Sequence, residues 1–375
     1  MDPKYFDYAA STALLPEVKQ AMEQADAFYA NPSAQHLFGR EAATFIEKHR
    51  QELAAELQVK PQEIYYMAGA TEANNLALRG AVNHYGGRPA CVMTEHDSVI
   101  RTVEAMGGET LEVERATGQV KEDAIINLPD DVVVFSLALV NNETGVVADM
   151  RRVRKLLAMV KESREGRGID LPLLLHTDAS QAGLYTLSPR THNADLATYS
   201  SKSLYGPSQA AVLFVSRSVQ LKPDATGGSQ ENGYRPGTQS AKNIAGVSTA
   251  LRVAVKERAP QLNQLETLNE YLVEGIESLG GSVVLASEEK SPHVLMVVFE
   301  GVDNEELMHK LSQRGFAVGI GSACHASSKR PSRALEALAI SRDEQRSSIR
   351  LSIGRYTTRD SIKDLLANLE DLLVG

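Results

Sequence analysis

The sequence predicts an α/β protein: a mainly parallel sheet packed between helices, followed by a smaller α+β domain. Two observations carry this expectation. Between residues 63 and 215 short apolar runs alternate with stretches of helical spacing, the pattern of a parallel sheet covered on both faces. After Gly281 the order changes to strand, helix, Gly-rich turn, strand and helix. The chain has 375 residues, 43% of them hydrophobic, enough for a large core and too many for one undivided core. The division is expected near Ala259-Pro260, with a large domain over 1–259 and a small one over 260–375. The N-terminal segment is free to pack on the small domain.

Residues 41–57 set Phe45, Ile46, His49, Leu53 and Leu57 at helical spacing. Buried strands are expected at 63–67, 90–94, 131–139, 172–176, 195–199 and 210–215, with helices at 98–106 and 151–162 between them. Residues 216–237 are polar and Gly-containing, and a loop of that length inside a domain is usually functional or disordered. Helices follow at 239–257 and 261–279. The small domain then reads as a strand at 294–299, a helix at 304–313, a turn at 319–322, a strand at 348–353 and a helix at 359–373.

Bulk properties exclude several classes. Lys plus Arg total 39 and Asp plus Glu total 48, a net charge of −9 that repels a nucleic-acid backbone. Two cysteines, Cys91 and Cys324, make no disulfide framework. The opening MDPKYFDYAAST does not read as a signal peptide, and no apolar run is long enough to span a bilayer. A reducing, cytoplasmic setting is expected, with small molecules or basic proteins as partners.

Parallel sheets place ligands beyond the carboxyl ends of their strands. The first strand delivers Ala68-Gly69-Ala70-Thr71, where a helix begins. Small residues there let backbone N–H groups approach an anion, and Thr71 adds a hydroxyl. An ordinary turn with Thr71 as N-cap explains the same residues equally well. The second strand delivers Thr94-Glu95-His96; a lone His after a strand is more often structural than chemical. The third delivers Asn141-Asn142-Glu143-Thr144-Gly145, which is commonly just a turn. The fourth delivers His176-Thr177-Asp178, an acid costly to bury without a cationic partner. A protonated pyridine nitrogen is such a partner. The fifth delivers Ser200-Ser201-Lys202-Ser203. Lys202 could form a Schiff base there, or be a solvated loop residue, the commoner case. Jointly the strand ends supply a phosphate donor, a ring partner, an Asp and a Lys.

With those segments in place, the sequence resembles the cysteine desulfurase family of class V aminotransferase-like, fold-type I enzymes that use pyridoxal 5'-phosphate (PLP). The resemblance covers nearly the whole chain. It rests on Tyr5-Phe6-Asp7-Tyr8-Ala9-Ala10, Asn31-Pro32-Ser33 with His36, Gly69-Ala70-Thr71-Glu72, Thr94-Glu95-His96, Val140-Asn141-Asn142-Glu143, His176 to Gln181, Tyr205-Gly206-Pro207, Arg235-Pro236-Gly237-Thr238, Gly321-Ser322-Ala323-Cys324 and Ser348-Ile349-Arg350-Leu351-Ser352. It implies the fold-type I PLP transferase architecture. It also implies that Thr71 and Ser200 bind the cofactor phosphate, that His96 stacks on the ring and assists proton transfer, and that Asp178 pairs with the ring nitrogen. Asn142 and Gln181 would contact ring substituents and Arg350 the substrate carboxylate. Thr238 would reach the phosphate of a second subunit, making a homodimer.

The counterpart of Cys324 in the family takes sulfur from L-cysteine, becomes a persulfide and releases alanine. The residues agree, since an exposed thiol beside His325 and Lys329 in a small polar loop should be reactive. Ser-Ala-Cys resembles the subgroup with a longer catalytic loop, which hands sulfur to an acceptor or iron–sulfur scaffold protein. The buried, hydrophobe-like reading of a lone Cys suits Cys91 instead.

One segment departs from the family. A family pattern like Ser-Gly-His-Lys-x-Tyr-Gly-Pro is here Ser200-Ser201-Lys202-Ser203-Leu204-Tyr205-Gly206-Pro207, with no room for an insertion or deletion. Ser203 stands at the lysine position and Lys202 at that of the histidine. Two readings follow: Lys202 serves as the Schiff-base residue, or PLP is held loosely or not at all and desulfuration is reduced or lost. Neighbours in an extended segment point in opposite directions, which opposes the first. Retention of His96, Asp178, Cys324 and Arg350 opposes the second. A non-catalytic binding homologue, or a related lyase or aminotransferase, are the other functional alternatives.

Overall fold

The computed structural model describes residues 4–285, 290–321 and 332–374. The apolar runs become strands β1 (Ile64–Met67), β2 (Arg88–Val92), β4 (Val132–Ser136), β5 (Leu174–Asp178), β6 (Leu196–Ser200) and β7 (Ala211–Val215). A short strand, β3 (Glu109–Leu111), completes a seven-stranded sheet in the order β1-β7-β6-β5-β4-β2-β3. Its three residues, partly polar and at the edge, carry no periodic signal that a sequence reading could use. Only β7 runs antiparallel to its neighbours β6 and β1; the other pairs are parallel.

The central strands are buried on both faces, which explains their near-continuous apolar runs. Alternate residues still part to opposite sides. Phe135, Leu175 and Val212 pack into one apolar cluster, while Val134, Leu174 and Leu213 pack into another. A third cluster forms around a small antiparallel sheet of β8 (Ser282–Val283), β9 (Val294–Val298) and β10 (Ser348–Ser352). It joins Leu295, Val297, Ile349 and Leu351 to Leu307, Leu365 and Phe6. The helices Asn304–Gln313 and Arg359–Val374 stand where their spacing predicts them.

The two helices expected at 239–257 and 261–279 are one. A single 38-residue helix, Ala241–Ser278, runs through Pro260. A proline inside a helix costs about 3 kcal/mol. Burial on both sides offsets it: Leu251 lies in the large-sheet core, while Leu265, Leu272 and Ile276 lie in the small-sheet core.

The polar stretch 216–237 is anchored by a buried carboxylate. Glu231, at positive φ inside the turn Gln230–Gly233, accepts from Arg50 at 2.9 and 3.0 Å and from the Tyr66 N–H at 2.9 Å. Its side chain is fully buried and that of Arg50 is 12% exposed, so the loop is tied at once to the helix Leu37–Leu57 and to β1. Among the described residues no helix is long and apolar enough to cross a membrane.

Candidate active site

A cavity of about 340 Å³ opens beyond the carboxyl ends of β4, β5 and β6 and the helix start after β1. Thr71, His96, Asn142, Asp178, Gln181, Ser200, Lys202 and Arg350 all line it. Residues from sequence positions 71 to 350 thus meet in one place. Thr238 does not line it; it lies exposed two residues before the N-cap Ser240 of the long helix. Cys324, with His325 and Lys329, falls outside the described residues. Cys91 is buried in β2, and burial raises its thiol pKa.

The helix Ala70–Tyr85 has Gly69 as its N-cap, and no side chain caps it. Thr71 is therefore not the cap but the second residue of the helix. Its exposed side chain lies at the cavity, where the helix start presents unsatisfied N–H groups to an anion. A Cβ built on Gly69 would meet nothing within 4 Å, so the approach to that helix start is open.

Asp178 ends β5. Asn74 Nδ2 donates to its Oδ2 at 2.8 Å and the Ser180 N–H to its Oδ1 at 2.9 Å. His96 is the N-cap of the helix Asp97–Ala105, its Nδ1 accepting from the Ser98 N–H at 3.1 Å. Glu95, 6% exposed, also borders the cavity and accepts from the Ala138 N–H. Burial first, and the nearby Asp178 charge second, raise the Glu95 carboxyl to about 8. A carboxyl that holds its proton near neutrality is the kind of group found at functional sites.

His176, two residues before Asp178 on β5, lies fully buried between Ser136 Oγ at 2.8 Å and Thr198 Oγ1 at 3.1 Å. Burial lowers its pKa to about 4. Asn141 is a structural turn residue: its Oδ1 accepts the N–H groups of Glu143 and Thr144 at 3.0 and 2.9 Å. That leaves Asn142 as the member of the pair that borders the cavity.

On the small-sheet side, Arg350 is 1% exposed on β10. Its Nη2 donates to Asp7 Oδ1 at 2.8 Å and its Nη1 to the Asn142 carbonyl at 3.1 Å. Gln181 is clamped at both ends. Its Nε2 donates to the Ala9 carbonyl at 2.9 Å, and its Oε1 lies 3.2 Å from Nε2 of His293. His293 is held neutral by burial, with a pKa lowered to about 4.

The segment after β6 is not extended. Lys202–Leu204 form a 3-10 turn, with Tyr205 following at a positive φ of 63°. Successive residues of such a turn are rotated by about a third of a revolution, not half. Lys202 and Ser203 therefore both border the cavity, which removes the objection drawn from an extended chain. Thr12 fixes the turn: its hydroxyl donates to the Lys202 carbonyl at 2.7 Å and accepts from the Tyr205 N–H at 2.8 Å. Gly206 is required by a close approach, since a Cβ there would lie 2.1 Å from Ser201 Oγ.

Sequence reading singled out none of Asn74, Ser98, Asp7 and His293 as site residues. Asn74 reaches Asp178 across 104 positions and Asp7 reaches Arg350 across 343, and no local signal announces either contact.

The model of the family described as aminotransferase class V matches residues 4–365. The cysteine desulfurase IscS of Proteus mirabilis (strain HI4320) is 34% identical, over 96% of this chain and 90% of that protein. The chain belongs to the cysteine desulfurase family of class V aminotransferases. A solved structure described as a NifS-like protein matches 99% of both chains with a TM-score of 0.88 at 27% identity. SspA in complex with cysteine matches 95% of this chain and all of that one, with a TM-score of 0.77 at 28% identity. The fold is the fold-type I architecture that these relatives share.

Proposed function

We propose that this protein is a PLP-dependent cysteine desulfurase that converts L-cysteine to L-alanine and leaves the sulfur on Cys324 as a persulfide. The observation that carries this reading is the meeting of Thr71, His96, Asp178, Lys202 and Arg350 around one cavity. Kinship with the IscS enzymes and with a cysteine-bound relative supports it.

The residues present fit the cofactor. Asp178 is a carboxylate at the wall of a cavity that otherwise offers it neutral donors. Among the described residues the Lys202 ammonium makes no hydrogen bond or ion pair, so its amine is available. The open helix start at Gly69 suits a phosphate, with Thr71 and Ser200 adding hydroxyls. PLP bound there supplies an electron sink for bonds at the substrate's α-carbon.

The chain's own residues then have distinct tasks. With PLP in the cavity, Lys202 would be the residue to hold it covalently, and its amine would serve as the base for the substrate's α-proton. Asp178 would pair with the ring nitrogen, His96 would face the ring, and Gln181 and Asn142 would hold ring substituents. Arg350 grips the substrate carboxylate with donors that Asp7 and Asn142 leave free. The Cys324 thiolate bonds to the substrate sulfur as the carbon–sulfur bond breaks; carbon keeps the electron pair, is protonated and leaves as alanine.

The exposed Thr238 lies away from its own cavity, which supports a homodimer in which it serves the partner's phosphate. The seam between 1–259 and 260–375 then falls within the long helix. The setting is cytoplasmic, with an iron–sulfur scaffold or thiolation protein as sulfur acceptor. Purified protein given PLP and cysteine should release alanine and, with a thiol reductant, sulfide. Cys324→Ser should keep the cofactor and lose turnover. A folded protein that yields neither product contradicts the reading, and the oligomeric state by light scattering tests the dimer.

A further inference from the structure

Gln181 lines two cavities at once. One is the cavity described above. The other, of about 40 Å³, has room for a water and is bordered by His293, which does not line the first. A carbonyl oxygen only accepts, so the end of the Gln181 amide 2.9 Å from the Ala9 carbonyl is its nitrogen. The opposite end is the oxygen, which also only accepts, and it lies 3.2 Å from His293 Nε2. His293 Nε2 therefore carries a hydrogen. Burial first, and the Arg350 charge second, lower the ring's pKa to about 4 and keep it neutral at pH 7. Nδ1 then holds a lone pair, and the Ser291 hydroxyl, 2.5 Å away, donates to it. The backbone under the ring is fixed as well. The His293 carbonyl accepts from the Ile353 N–H at 3.0 Å, and the Ser291 N–H donates to the Gly145 carbonyl at 2.8 Å.

We infer that His293 is a positioning residue that fixes the plane of the Gln181 amide at the wall of the active-site cavity. The Ala9 contact alone settles which end of the amide is which, but a single hydrogen bond leaves a planar group free to swing about it. A second bond, at the opposite end, removes that freedom. The second hydrogen of the Gln181 amide goes to no described residue, so it is left for an acceptor on a ligand. In the cofactor reading that acceptor is an oxygen on the ring, and the purpose of the device rests on that reading. The bond from His293 is a property of the chain itself.

The test is nitrogen NMR of the full-length protein labelled in its histidine and glutamine side chains, joined to equilibrium dialysis with PLP. Gln181→Leu and His293→Phe assign the signals. Without PLP the wild-type His293 should be protonated on Nε2 alone, and the Gln181 amide should be as rigid as the backbone, with an order parameter of roughly 0.85. His293→Phe keeps the bulk of a ring and loses the donor. It should drop the Gln181 order parameter below about 0.6. It should also weaken PLP retention about 5-fold, the worth of one neutral hydrogen bond. His293→Gln, whose amide nitrogen can stand near the place of Nε2, should restore both. In a Gln181→Leu background His293→Phe should cause no further loss of retention. Circular dichroism and thermal melting confirm that each variant is folded. A wild-type ring protonated on Nδ1, a Gln181 amide no more mobile in His293→Phe, or a loss of retention that persists in Gln181→Leu overturns the inference. A wild type with the stated tautomer, and a Gln181 amide loosened by His293→Phe, that binds no PLP supports the inference and removes the cofactor reading instead.

Discussion

Arg350 Nη2 donates to Asp7 Oδ1 at 2.8 Å, joining the N-terminal segment to β10 at the edge of the cavity. The guanidinium has five donors, and here Asp7 and the Asn142 carbonyl occupy two of its N–H groups. The planar fork is what a carboxylate substrate needs. Arg350→Lys keeps the charge and loses the fork. Its kcat/KM for cysteine should fall about 10- to 100-fold, the equivalent of roughly 1.5–3 kcal/mol for a charged hydrogen bond. Steady-state kinetics check this, and a variant that matches the wild type removes Arg350 from substrate binding.

Asp178 accepts at both oxygens from neutral donors and still borders the cavity. Asp178→Ala should weaken PLP retention by about 10- to 100-fold, as loss of a charged partner does. Equilibrium dialysis followed by visible absorbance measures it. Undiminished retention would mean that the carboxylate does not pair with the ring.

Glu95 gives a signed pH dependence. Its pKa is about 8 in the fold against an ordinary 4.5, so between those values the native state holds a proton that the unfolded chain has lost. Rising pH therefore favours unfolding through this group. His176 and His293 act oppositely: lowered from 6.5 to about 4, they cost stability as pH falls through that window. Above pH 6.5 the Glu95 slope stands without theirs. Glu95→Gln cannot titrate, so its stability relative to the wild type should rise between pH 6.5 and 8. Urea unfolding at those two values tests the sign, and a flat difference contradicts it.

Glu231 is a structural counterpart. Removing it takes away the buried partner of the Arg50 guanidinium, leaving it Glu47 and the Ile64 carbonyl, and leaves the Tyr66 N–H without its acceptor. Glu231→Ala should cost about 3 kcal/mol of stability, the low end of the penalty for breaking a buried ion pair, because Glu47 still faces Arg50. Chemical denaturation reads it; a loss under about 1 kcal/mol would mean that the ion pair is solvated.

Much of this was legible because it is local. β4 is a nearly continuous apolar run, β5 and β6 open on apolar residues and turn polar, and the residues at or just after the ends of all three line the cavity. Periodicity could not see the end of a helix that has no end: Pro260 looks like a stop, and only packing against two cores carries the helix through it. The 3-10 turn at Lys202 depends on Thr12, a residue 190 positions away, so an extended segment was the natural local reading. The contact of Asn74 with Ser98 was equally hidden, because it joins two different helices and no spacing announces it.

The proposed function turns on Lys202, displaced by one position from the family pattern, as the residue that would carry the cofactor. Borohydride reduction of the PLP-loaded protein, followed by peptide mass mapping, tests it most directly. A pyridoxyl group on Lys202 is the result expected. An unmodified Lys202, with the label on another lysine or on none, would contradict it.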